Sequence, residues 1–93
     1  MARRATVIRV DDAVTFVIRP NMVVRLAGVE PPKRGTAEAI KAKEKLEGLV
    51  KGKKVEFETI EWDRLGVSIA TVTINHTDVN KTMEEFLRRG YRS

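Results

Sequence analysis

Cysteine is absent from this 93-residue sequence, and histidine and tryptophan occur once each. The lack of cysteine excludes disulfide bonds, thiolate metal sites and cysteine nucleophiles, and it leaves the redox compartment open. Aromatic residues make up only 5% of the chain, so there are few candidates for a surface that stacks on nucleic-acid bases. Three of them, Phe16, Phe57 and Phe86, fall on faces that we expect to be buried.

Long apolar runs are also missing. None approaches the roughly 20 residues of a transmembrane helix, and the basic start at Arg3 and Arg4 leads into a strand-like stretch instead of a signal-peptide core. We therefore expect a soluble, cytoplasmic protein with no membrane partner. A length of 93 residues predicts a single domain covering residues 1–93. The formal charge of +5 and the pI near 9.9 favour polyanionic partners.

Short β-branched runs separated by turn residues predict strands. Three of them precede residue 28 and form a meander, and two more follow residue 54 on either side of a turn at Asp63 and Gly66. The predicted strands are Thr6–Val10, Thr15–Arg19, Val23–Ala27, Val55–Ile60 and Val67–Ile74.

Two segments have helical spacing instead. Between Thr36 and Val50 the apolar residues recur every three or four positions, with Thr36 as N-cap and Gly52 as the stop. The second helix covers about Asn80 to Arg89, with acids early, bases late and Gly90 after its end. Five strands with a helix between the third and fourth predict a mainly β fold, a closed Greek-key barrel of the oligonucleotide/oligosaccharide-binding (OB) type, followed by a C-terminal helix.

The segment from Arg25 to Pro32 has the strongest functional signal. It reads Arg-Leu-Ala-Gly-Val-Glu-Pro-Pro, with an arginine on an apolar strand and Glu30 five residues later. It follows a hairpin at Asp11–Thr15 and precedes Val55-Glu56-Phe57, the turn at Asp63–Gly66, Val79-Asn80 and Arg89-Gly90-Tyr91. In this order the landmarks resemble the staphylococcal nuclease-like (thermonuclease-like) family, whose pattern runs Asp-Gly-Asp-Thr, then Arg-Leu-x-Gly-Val-Asp-x-Pro-Glu. The resemblance covers residues 6–89, nearly the whole chain.

The resemblance implies hydrolysis of phosphodiesters with one calcium ion, and it assigns a role to each matching position. Two acids hold the ion, a glutamate activates water, and two arginines stabilise the transition state. Only two of these positions keep a suitable residue: Arg25 matches the first arginine, and Glu30 matches the second metal carboxylate.

The other family positions have lost their chemistry. Aligning Thr15 with the threonine of Asp-Gly-Asp-Thr puts Val14 at the first metal carboxylate. Lys33 stands at the general base and Val67 at the second arginine. Losses of this kind together remove roughly five orders of magnitude of rate. The resemblance therefore predicts a catalytically degenerate barrel without a catalytic residue, resident metal or cofactor.

The predicted partner is single-stranded nucleic acid. Another polyanion is the less favoured alternative. The contact residues are Arg25 on its strand, Lys33 and Arg34 after the prolines, and Arg64 in the later turn, because they border the family's cleft. A more conservative interpretation of Arg25 is an ion pair with Glu30.

Two further functions stay open from the sequence. Asp12, Glu30 and Asp63 could form a rearranged calcium site and restore a metal-dependent phosphodiesterase. A barrel that only binds other proteins is the other alternative. Trp62, placed in the turn beside Asp63, is a candidate for base stacking, and His76 is interpreted as a solvated turn residue. The sequence does not determine the oligomeric state.

Overall fold

Strands dominate the fold, which a computed structural model describes for residues 2–89. Three strands precede the first helix, and three strands and a second helix follow it. The strands are β1 (Arg3–Asp12), β2 (Thr15–Ile18), β3 (Met22–Leu26), β4 (Lys54–Trp62), β5 (Ser68–Ile74) and β6 (Thr77–Asp78); the helices are α1 (Ala37–Val50) and α2 (Val79–Arg89).

The first five strands close into a barrel. β1 lies between β2 and β4, β2 pairs with β3, and β4 pairs with β5, all antiparallel. A parallel pairing of β3 with β5, from Val24 opposite Ser68 to Leu26 opposite Ala70, joins the two ends of the sheet. The predicted five-stranded barrel with a helix between β3 and β4 is therefore confirmed. The two-residue β6, which the sequence analysis missed, only extends β5.

Alternation along the strands fills the barrel. Every second residue of a strand points inward, and the inward residues form one cluster with the apolar faces of both helices. Its largest fully buried side chains include Phe16, Ile18, Leu26, Leu46 and Met83. Phe57 is also buried, and Phe86 packs against the cluster from α2, as their sequence positions predict.

The helix α1 begins where the sequence predicts. The Thr36 hydroxyl accepts a hydrogen bond from the Ala39 N–H, as an N-cap does. At the other end Lys51 is the C-cap, and Gly52 follows it in the left-handed conformation with φ of 75°. The Gly52 N–H bonds to the Val7 carbonyl on β1, so this glycine turns the chain from α1 back onto the barrel.

One side chain fixes the start of α2 to the barrel. The Asn80 amide donates hydrogen bonds to the carbonyls of Ala27 and Ala70, and its oxygen accepts one from the Val72 N–H. These bonds connect α2 to β5 and to the segment that follows β3. The predicted stop at Gly90 lies outside the described residues. Within residues 2–89, no helix is long and apolar enough to cross a bilayer.

Candidate functional site

The hairpin between β1 and β2 holds Val14, which the resemblance aligns with the family's first metal carboxylate, and the structure puts Val14 into the core. Val14 is only 1% exposed and belongs to the hydrophobic cluster, as does Ala13. The carboxylate of Asp12 accepts a hydrogen bond from the Val14 N–H at 2.9 Å, which closes the turn. An apolar side chain that points inward cannot be a metal ligand, so this position now contributes to packing.

Arg25 lies on the outer face of β3. Its neighbours Val24 and Leu26 are buried, whereas Arg25 is exposed, as alternation requires. Arg25 is opposite Thr15 on β2 and opposite Ile69 on β5. Side chains of directly paired residues share one face of a sheet. Thr15, Arg25 and Ile69 therefore form an outward row across three strands.

A shallow cleft of about 430 Å³ lies beside this row. Its lining includes Arg25, Ile69, Gly28 and Glu30, and we call it the Arg25 cleft. Gly28 has φ of 73°, a value that suits glycine, and it turns the chain so that Glu30 comes back toward the strand. The structure thus brings Arg25 and Glu30 to one cleft. No ion pair joins them within residues 2–89, so the ion-pair interpretation of Arg25 is wrong.

Asp63 organises the turn between β4 and β5. One of its carboxylate oxygens accepts hydrogen bonds from the N–H groups of Leu65 and Val67, at 2.8 and 2.9 Å. The bond from Val67 is the main reason why the pKa of Asp63 lies below its ordinary value. Desolvation opposes this effect, while the Leu65 N–H and the charges of Arg25 and Arg64 add to it. Arg25 and Arg64 therefore both lie close enough to Asp63 to act on its charge.

Two positions that the resemblance assigns to the family's site hold residues that cannot bind a calcium ion. Hard cations need several oxygen ligands. The family position in the hairpin is occupied by Val14, which is buried. The family position after the prolines is occupied by Lys33, which is exposed and cationic. In the described part of the chain, no three aspartate, glutamate, histidine or cysteine side chains are grouped closely enough to hold a metal ion. Asp12, Glu30 and Asp63 therefore do not meet as one such group in residues 2–89.

Arg34 lines a second, larger depression of about 630 Å³, between the β1–β2 hairpin and α1. Thr15 lines it too and is the strand partner of Arg25, while Pro31 borders both depressions. The two depressions therefore have Pro31 as a common border. Lys33 is exposed beside them but lines neither, and its carbonyl accepts a hydrogen bond from the Thr36 hydroxyl.

The turn assignment of Trp62 is wrong. Trp62 is the last residue of β4 and is 53% exposed. It is opposite Ser68, which is fully buried, whereas the preceding residue Glu61 is opposite Ile69 on the outer face. The register thus puts Trp62 on the side of the sheet away from Arg25, because adjacent strand residues point to opposite faces. Trp62 cannot stack on a base held in the Arg25 cleft.

Two residues that the sequence analysis did not assign to the cleft region lie there. Lys43 and the 59% exposed Ile40, both on α1, line the depression that contains Arg34. The helical spacing predicts that Ile40 and Lys43 lie outside the buried face of α1. It could not show that this side of the helix lies against the β1–β2 hairpin.

Comparison with known proteins supplies a match for most of the chain. A family model described as "Staphylococcal nuclease homologue" matches residues 23–91, from β3 through α2. No curated protein matches the chain.

Proposed function

The chain belongs to the staphylococcal nuclease homologue family, and we propose that it is a degenerate, non-hydrolytic member that binds single-stranded nucleic acid. The contact surface is the Arg25 cleft with its extension toward Arg34, and Lys33 and Arg64 stand at its borders. Binding at this surface is weak and tolerant of sequence, because it depends on phosphate contacts and not on base readout.

The burial of Val14 supports the loss of catalysis most directly. At a position where the family uses a metal carboxylate, this chain has a side chain that is packed in the core. The substitution at Lys33 replaces a general base with a cation that cannot accept a proton, and Val67 cannot stabilise negative charge. Hydrolysis is therefore expected to fall roughly five orders of magnitude below that of a nuclease with an intact site.

Free cationic donors support the binding of phosphates. Arg25, Arg34 and Arg64 form no ion pair within residues 2–89, so their guanidinium groups are available. Among the carboxylates near them, Asp12 and Asp63 accept backbone hydrogen bonds and Asp11 accepts one from Arg9, whereas Glu30 lines the cleft with Arg25. Because Pro31 borders both depressions, an extended strand that passes Arg25 can continue toward Arg34.

Fluorescence anisotropy of a labelled oligothymidylate at low salt tests the binding. We expect affinity to fall steeply with added salt, and the log–log slope to become shallower by about one for each contacting cation changed to alanine. The variants are Arg25→Ala, Lys33→Ala, Arg34→Ala and Arg64→Ala. Lys41→Ala is the matched control, since Lys41 is exposed on α1 and lines neither depression.

A fluorogenic oligonucleotide with millimolar calcium tests the loss of hydrolysis in the same samples. We expect no turnover above background. Calcium-dependent cleavage that Glu30→Gln abolishes would show that a rearranged metal site works. Absence of oligonucleotide binding, or equal affinity and salt slope in the four variants and the control, would instead exclude the cleft as the binding site.

A further inference from the structure

A separate depression of about 290 Å³ lies where β1, β4 and β5 run side by side. It is lined by polar side chains from three strands and from the turn after β5, and we call it the His76 pocket. The lining side chains that matter here are Arg4, Lys54, Glu56, Thr73, Asn75 and His76.

The pairing of the strands explains why these side chains meet. Arg4 is opposite Glu56, and Glu56 is opposite Thr73, so the three form an outward row across β1, β4 and β5. Lys54 is two residues before Glu56 on β4 and therefore shares its face. The His76 pocket is consequently bordered by the cationic groups of Arg4 and Lys54 and by the hydroxyl of Thr73.

Positive charge prevails in this pocket. Arg4 and Lys54 carry two positive charges, against the single negative charge of Glu56. Arg4 bonds to Glu56 through Nε at 3.1 Å, and its side chain is 70% exposed, so its two terminal amino groups can still donate.

His76 occupies a position that local structure does not favour. Asn75 and His76 form the two-residue turn between β5 and β6, with φ of 49° and 68°. Turns of this type normally have glycine at the second place, because a side chain there is strained. Asparagine and histidine are both among the side chains found at positive φ more often than others, but only glycine adopts this conformation without a side-chain penalty. The turn thus presents an imidazole at the rim of the pocket where glycine would fold more easily.

From this arrangement we propose that the His76 pocket is a second phosphate-binding site, which takes the phosphodiester backbone of a nucleic acid. Arg4 and Lys54 neutralise the phosphate, and the Thr73 hydroxyl and the His76 ring donate hydrogen bonds to its oxygens. Nothing in the pocket reads a base, so the contact is independent of sequence.

The His76 pocket is distinct from the Arg25 cleft. Ile69 in the cleft and Thr73 in the pocket are four residues apart on β5, which is about 13 Å along the strand. Between them the outer face carries Glu58 opposite Thr71, and Glu61 opposite Ile69. This distance along β5 separates the two sites, so each can bind its own phosphate and neither requires the other.

Titration with inorganic pyrophosphate, followed by two-dimensional amide NMR, locates the site directly. We expect the amides of Thr73, Asn75 and His76 to shift, and those of Gly28 and Glu30 in the cleft to shift less. In anisotropy titrations with a 12-residue oligothymidylate, the double variant Arg4→Ala/Lys54→Ala should have a salt slope shallower by about two. Lys41→Ala again serves as the control for loss of one surface lysine.

Two further variants separate binding from folding. Glu56→Gln removes the only negative charge of the pocket and should tighten oligonucleotide binding at low salt. His76→Gly relieves the strained turn, so its unfolding midpoint should equal or exceed that of the unmodified protein, while its affinity should fall. A residue with a purely structural role would not show a more stable protein with weaker binding.

The possible outcomes distinguish this site from the cleft. If only the Arg25, Lys33, Arg34 and Arg64 variants weaken binding, the cleft is the site and the His76 pocket is excluded. If only the Arg4, Lys54 and His76 variants weaken it, the pocket stands and the cleft fails. If the unmodified protein binds neither pyrophosphate nor oligonucleotide at low salt, both proposals are wrong.

Discussion

The Arg25 cleft and the His76 pocket lie on the same outer wall of the barrel but differ in how their charges are balanced. Around the cleft, Arg25 and Arg64 are matched by Glu30 and Asp63. In the pocket, Arg4 and Lys54 outnumber Glu56. The cleft is the ancestral site by position, yet it is the less positive of the two.

This difference bears on where a polyanion would bind. The carboxylates of Glu30 and Asp63 lie near the arginines of the cleft and offset their positive charge. In the His76 pocket, Arg4 and Lys54 face the one carboxylate of Glu56, so less negative charge opposes a bound phosphate. Affinity for a polyanion need not reside where a family's active site was.

The largest expected effect comes from restoring the family's acid at Val14. Val14→Asp would bury a carboxylate in the hydrophobic cluster, and we expect it to lower the free energy of unfolding by about 3 kcal/mol or more. Lys33→Glu restores another family acid, but at an exposed position, and should change stability by less than about 0.5 kcal/mol. Urea denaturation of both variants gives the comparison. Equal stability of the two would mean that Val14 is not part of the core.

Removal of the Asn80 side chain should have the next largest effect. Asn80→Ala leaves the Val72 N–H and the carbonyls of Ala27 and Ala70 without this partner, and should cost about 2 kcal/mol. The change should loosen the segment after β3 that forms the cleft, which faster hydrogen exchange at Gly28 and Val29 would reveal. Thr82→Ala removes one exposed hydrogen bond on the same helix and is the control. Equal costs for the two variants would argue against a special role of Asn80.

Salt dependence provides a direct comparison of the two sites. Arg25→Ala/Arg64→Ala and Arg4→Ala/Lys54→Ala each remove two cations, so each should make the log–log slope of oligonucleotide affinity shallower by up to about two. Because the sites are about 13 Å apart along β5, the effects should add in the quadruple variant. The slopes are measured by anisotropy titrations over roughly a tenfold range of salt concentration, from about 20 to about 200 mM. A quadruple variant no worse than either double would mean that the two sets touch the same phosphates.

The smallest effect concerns the pH dependence of the turn at Asp63. The folded-state pKa of Asp63 is below its ordinary value of 3.8, so its contribution to stability is fully present above that value. The contribution is lost as the pH falls through the folded pKa, when the carboxylate takes up a proton. Arg25→Ala should move the pKa of Asp63 upward, because it removes one of the charges that lower it. A carbon-detected NMR titration measures both values, and an unchanged pKa would show that Arg25 does not act on Asp63.

Much of the fold could be predicted before the structure was known. Alternation in β4 and β5 and helical spacing in α1 and α2 are local signals, and the predicted elements agree with the observed ones to within a few residues at their ends. The predicted N-cap at Thr36 is confirmed. Trp62 was assigned to a turn because it precedes Asp63, but pairing with Ser68 extends β4 through it. β6 was missed because two residues are too few to show a period.

The candidate site was harder to predict, and only part of it was found. Family landmarks identified Arg25 and Glu30, which do share a cleft. They gave no indication that Arg34 lines a neighbouring depression with Lys43, or that Arg4, Lys54 and His76 meet elsewhere. Those groupings join residues up to 72 positions apart, counted from Arg4 to His76.

The sequence by itself determined the order and type of the elements and the burial of Phe16, Phe57 and Phe86. Each of these depends on residue identity or on spacings of two to four positions. Only the tertiary structure decided that Val14 is buried, that Trp62 faces away from Arg25 and that Arg4 borders the same pocket as His76. The register between strands fixes the last two, through the pairing of β1 with β4 and of β4 with β5.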